Sequence, residues 1–89
     1  PTLLDAQMSA LARLAALIVV DAGSPAYQRQ VRIALGAGVS PDQITGVLLA
    51  IAPIAGSALV MSAAPKLALA LGYDVDAGLE DGDLREDDI

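Results

Sequence analysis

Arg29 and Arg32 stand three residues apart, a spacing that on a helix brings two guanidinium groups within reach of one anionic ligand. Arginines on the polar side of a surface helix are more often solvated or paired with a nearby acid, and Asp21 is the natural partner here. Further along, "DVDAGLEDGD" supplies Asp74, Asp76 and Glu80 as spaced oxygen donors for calcium. The loop pattern fails, because its fifth position is Gly78, its sixth is Leu79 where glycine is required, and its twelfth is Arg85 where glutamate is required. A solvated acidic tail is the simpler expectation.

The 89 residues contain no cysteine and no histidine. Without cysteine there is no disulfide framework, no thiolate metal site and no thiol nucleophile. Without histidine the usual general base near neutral pH and the usual metal ligand are both missing. The sequence therefore points to no metal and no cofactor.

Charge is distributed unevenly. Residues 1–72 set Asp5, Asp21 and Asp42 against Arg13, Arg29, Arg32 and Lys66, a net +1, whereas residues 73–89 hold eight acids against Arg85, a net −7. A nearly neutral helical domain followed by a short acidic tail is the expected organisation. This balance argues against nucleic acid and against anionic lipid surfaces as partners. The chain opens on Thr2 and Asp5 rather than on a basic segment ahead of an apolar one, so the expected location is cytoplasmic.

The elements that must position these side chains are marked by their punctuation. Thr2, with Asp5 three residues on, reads as a first N-cap, and Leu4, Met8, Leu11, Ala15 and Ile18 form an apolar stripe that Leu14 and Leu17 widen. Gly23 is expected to end this helix after Val20 or Ala22, with Ser24 capping the next and Pro25 opening it. The second helix should span about Pro25 to Ala37, burying Tyr27, Val31, Ala34 and Leu35 and turning Gln28, Arg29 and Arg32 outward. Gly38 should close it in the left-handed conformation. "SPDQ" is a full capping box: Ser40 caps, Pro41 starts the third helix and Gln43 bonds back to the Ser40 backbone.

"ITGVLLAIAPIAGSALVMSAAPK", residues 44–66, carries no charge before Lys66. It is long enough to cross a bilayer, but Pro53 and Gly56 interrupt it, alanine dilutes it, and it lacks basic flanks and an aromatic belt. Two helices, about 41–53 and 57–71, buried between neighbours or at a subunit interface, fit better than a membrane span. Pro65 should kink the second of them or mark a local irregularity in it. So much apolar surface on so short a chain favours a homo-oligomer.

"RIALGAGVSPDQITGVLLAIAPIAGSALVMSAA" resembles the helical core of the carboxymuconolactone decarboxylase family, related to alkylhydroperoxidase D, and the likeness reaches back through "LARLAALIVVDAG" to cover about residues 4–71. The resemblance implies an all-α, four-helix orthogonal bundle that assembles as a trimer or hexamer. Family members that reduce disulfides or peroxides carry Cys-x-x-Cys-x-x-x-His at the start of the second helix and an upstream glutamate. Here the cysteine positions fall on Gly23 and Ala26, the histidine position on Gln30, and the glutamate position near Ala10. Thiol peroxidase and disulfide reductase activity is therefore not expected. The family's lactone chemistry does not need the cysteines, but for proton transfer the pocket side offers only Gln30, Tyr27 and Ser57. Binding of a small carboxylate or lactone, with Gln30 orienting it and Arg29 or Arg32 as counter-ion, asks less of these residues than catalysis does. The alternative is a non-catalytic oligomerisation or protein-interaction module.

Overall fold

The computed structural model describes residues 3–72, and the acidic tail with its calcium pattern lies outside them. Four helices follow one another, α1 (Ala6–Val19), α2 (Ser24–Gly36), α3 (Pro41–Ala55) and α4 (Ser57–Ala70), and no strand occurs among the described residues. α2 and α3 each pack against both α1 and α4. The core is formed by Ala10, Leu14 and Ile18 of α1, Tyr27, Val31 and Ala34 of α2, Val39, Ile44 of α3, and Ala63 and Leu67 of α4.

Asp5 starts α1, its carboxylate accepting from the Met8 backbone N–H at 2.7 Å. The expected cap at Thr2 lies outside the described residues, and the helix begins three residues later than that reading implied. The buried side of α1 also differs from the expected stripe. Ala10, Leu14 and Ile18 face inward, while Leu4 and Met8 are exposed. Leu4 and Met8 have the right period, but they lie at the open N-terminal end, ahead of the first buried position. Leu35, expected in the core, is exposed beside Ala34.

The left-handed residue that terminates α1 is Asp21, not Gly23. Asp21 adopts φ 54°, the left-handed conformation, and the turn closes with Ala22 N–H donating to Leu17 C=O at 3.0 Å and Asp21 N–H to Ile18 C=O at 3.2 Å. This is the Schellman arrangement, with aspartate where glycine is usual. Gly23 instead caps the start of α2 with extended backbone, and Ser24 is the first helical residue, making no capping bond.

α2 closes as expected. Gly38 has φ 93°, Val39 N–H donates to Ala34 C=O at 3.0 Å, and Gly38 N–H donates to Leu35 C=O at 3.1 Å. The positive φ is what calls for glycine here; a Cβ would also come within 2.8 Å of Gln7 Nε2, the end of a flexible exposed side chain that donates to Ala37 C=O at 3.0 Å and could shift. The capping box of α3 is complete: Gln43 N–H donates to Ser40 Oγ at 3.1 Å, and Ser40 N–H to Gln43 Oε1 at 2.9 Å.

Pro53 does not end α3. It sits in the last turn, and the helix runs on to Ala55 before Gly56, at φ 88° and ψ 164°, breaks it and caps α4. Ser57 follows as the first residue of α4 without a capping bond. α4 likewise continues through Pro65. Both prolines are exposed, so the backbone carbonyls they leave without a helical donor lie on the outer side of the bundle. No helix among the described residues is long and apolar enough to cross a membrane.

Candidate functional site

The first turns of α2 carry most of the residues singled out by type and spacing. Tyr27 is fully buried in the aliphatic core, and its hydroxyl has no hydrogen-bond partner among the described residues. One turn on, the side-chain nitrogen of the half-buried Gln30 is also buried without a partner among the described residues. Residues three apart share a side of a helix, so both donors belong to side chains on the same side of α2. Each such group costs about 1–3 kcal/mol if nothing bonds to it, which makes the pair unusual in a small core.

Burial raises the pKa of Tyr27, and the negative charge of Asp21 raises it further. The phenol therefore stays protonated at neutral pH and offers a proton in a hydrogen bond. It is poorly suited to act as a base there.

The other candidates are placed differently. Arg29 and Arg32 lie exposed on the outer side of α2, and neither makes an ion pair with a described residue. Ser57 is exposed at the start of α4. Gly23 caps α2 and Ala26 is its third residue, so the positions that the resemblance assigns to cysteines sit at the N-terminal end of the same helix as Gln30. No pocket is present among the described residues, so the pocket expected beside Gln30, Tyr27 and Ser57 is not preformed there.

A polar cluster that the sequence reading missed joins the α1–α2 turn to α4. Ser62 Oγ donates to Asp21 Oδ1 at 2.6 Å, and Lys66 Nζ reaches Asp21 Oδ1 at 3.4 Å, Ala22 C=O at 3.0 Å and Ser62 Oγ at 3.2 Å. Asp21 thus pairs with Lys66 and not with an arginine of α2. Ser62 and Lys66 are four residues apart on one side of α4, a visible signal, but their partner is 41 residues from Ser62. With its ammonium spread over three acceptors, Lys66 is held as a structural cation.

The Ser62 hydroxyl, followed by the Lys66 charge and hydrogen bond, lowers the pKa of Asp21. The folded state therefore favours the ionised form. Its stabilisation is complete above the pKa of the unfolded carboxylate and disappears as pH falls through the lower folded value. Asparagine also tolerates the left-handed conformation, so Asp21→Asn removes the charge and little else. At neutral pH the variant should melt below the wild type, and the gap should close as acid titrates Asp21. Thermal melts from neutral pH down to below the usual carboxylate range check this, and a gap independent of pH would contradict it.

These features define a class: a small all-α domain of four helices, with its polar candidates concentrated on the second helix and no thiol or imidazole anywhere in the sequence. The chain belongs to the carboxymuconolactone decarboxylase family, whose family model matches residues 1–69. Comparison with curated proteins gives no match, and neither does comparison with solved structures.

Proposed function

We propose that this chain binds a small carboxylate or lactone at Tyr27 and Gln30 and acts as a homo-oligomer of the family fold, without thiol peroxidase or disulfide reductase chemistry. The observation that carries this reading is the pair of buried donors without acceptors on one side of α2. A carboxylate, or the carbonyl and ring oxygen of a lactone, presents two acceptors at short separation and would satisfy both groups at once. Entry requires side chains around α2 to move aside, since no pocket stands open among the described residues. Arg29 and Arg32, on the outer side of the helix, would attract an anion toward α2 more readily than they would touch it. Tyr27 is the only ionisable group of the pair and holds its proton, so binding is better supported than turnover.

The test is the thermal unfolding midpoint across a panel of small carboxylates and lactones at millimolar concentration. A ligand at about a hundred times its dissociation constant stabilises the folded state by roughly 2.7 kcal/mol, which in a domain of this size is a shift of about 10 °C or more. The expected result is a selective shift that Gln30→Ala removes. A transition indifferent to every compound would sink the binding reading.

A second reading, a non-catalytic oligomerisation or interaction module, has its own observation in favour. The core around Tyr27 is filled by Leu14, Ile18, Val31 and other aliphatic side chains. A core of that kind needs no ligand to be complete apart from its two unpaired polar atoms.

A further inference from the structure

We propose that Ser62 and Lys66 form the carboxylate anchor of this chain, and that Asp21 and the carboxylate of a ligand compete for it. This anchor rests on the reading of a small carboxylate as the ligand, and it selects carboxylates over neutral lactones.

Ser62 and Lys66 stand four residues apart on α4 and converge on one oxygen. Ser62 Oγ donates to Asp21 Oδ1 at 2.6 Å and Lys66 Nζ to the same atom at 3.4 Å. The ammonium is braced from two further sides, donating to Ala22 C=O at 3.0 Å and Ser62 Oγ at 3.2 Å. A hydroxyl donor and a fixed cation aimed at one point are the groups that recognise a carboxylate, and a carboxylate of the chain itself sits there. The anchor and its occupant are held unequally. The Lys66 side chain is 26% exposed, whereas that of Asp21 is 53% exposed and meets the pair through Oδ1 alone. An exposed contact of this kind contributes little and is open to exchange.

The backbone points the same way. Asp21 occupies the left-handed position, φ 54°, where glycine is the residue the turn favours. What an aspartate adds at this position is its carboxylate.

Location couples the anchor to α2. α4 packs against α2, and alongside burial it is the negative charge of Asp21 that raises the pKa of Tyr27. A carboxylate that takes the place of Asp21 is therefore within electrostatic reach of the buried hydroxyl that lacks an acceptor. It also finds in Lys66 the counter-ion that Arg29 and Arg32, on the outer side of α2, do not supply. A neutral lactone offers the ammonium no charge, so it leaves Asp21 in place.

The experiment is thermal unfolding of the full chain titrated with sodium benzoate, against sodium chloride at equal ionic strength, and separately with γ-butyrolactone. Asp21→Gly clears the anchor and suits the left-handed turn, so the fold should persist. With Asp21 on the anchor about nine-tenths of the time in the wild type, its removal lowers the apparent dissociation constant for benzoate about ten-fold. γ-Butyrolactone should be indifferent to the change. Adding Ser62→Ala or Lys66→Gln to Asp21→Gly should raise the benzoate constant again, and a cooperative melt of either double variant identifies it as folded. Asp42→Asn removes an equal charge from α3 and should leave benzoate binding as it is. Equal benzoate affinity of the wild type and Asp21→Gly would overturn the anchor, as would tighter binding that Asp42→Asn reproduces or that both double variants retain. If a wild-type shift ignores Asp21, Ser62 and Lys66 but is removed by Gln30→Ala, the anchor falls and the reading of α2 stands. No shift in any variant with either compound overturns both.

Discussion

Leu14→Ala is expected to remove about 2–5 kcal/mol of folding stability, whereas Met8→Ala should change it by about 0.5 kcal/mol or less. Leu14 is fully buried at the centre of the core, where α1 meets its neighbours, so truncation leaves a cavity that the surrounding side chains fill only in part. Met8 is 53% exposed and leaves none. A domain of this length has a total stability near the low end of about 5–15 kcal/mol, so the Leu14 variant should sit close to unfolding at room temperature. Chemical denaturation of the two variants side by side checks this. Equal losses would mean that the inward side of α1 is misplaced by part of a turn.

Gly56→Ala is expected to cost about 1–3 kcal/mol although the new methyl group touches nothing. The space around a Cβ at this position is empty to 4 Å, so the penalty is not steric crowding by the fold. It comes from the backbone, since φ 88° with ψ 164° is a region that glycine alone occupies readily. The same residue ends α3, donating its N–H to Ala52 C=O at 2.9 Å, and begins α4, its C=O accepting from Val60 N–H at 3.2 Å. A side chain would have to distort one of these helix ends. The measurement is again denaturation, with Gly46→Ala as the control that should gain stability, since Gly46 lies inside α3 and a Cβ there would meet nothing within 4 Å. A neutral Gly56→Ala would show that the chain reverses here through some other backbone conformation.

How much of this was legible follows from the range of each interaction. The Ser40–Gln43 capping box and the Gly38 terminus are made by residues within one turn of each other, and both were read correctly from type and spacing. The end of α1 was not, because what holds Asp21 in place of glycine includes Ser62 and Lys66 from the other end of the chain. Periodicity alone also could not choose between Met8 and Leu14 as the centre of the buried stripe, since both satisfy a helical repeat. Only packing against α2, α3 and α4 decides. Pro53 was read as a terminator because of its missing N–H, yet one absent bond on the exposed side of the last turn is tolerated. For the candidate site, the sequence indicated α2, with Tyr27 and Gln30 on it. That their polar atoms are buried without partners is a property of the assembled core that no local pattern encodes.

The measurement that tests the central claim most directly is the stability of Tyr27→Phe, taken without ligand and then with the most effective carboxylate or lactone of the panel. If the hydroxyl is a buried donor awaiting an acceptor, its removal should stabilise the free protein by about 1 kcal/mol, near 4–8 °C in midpoint, and abolish most of the ligand-induced shift. A Tyr27→Phe variant that is less stable than the wild type without ligand, and that responds to ligand unchanged, would contradict the account.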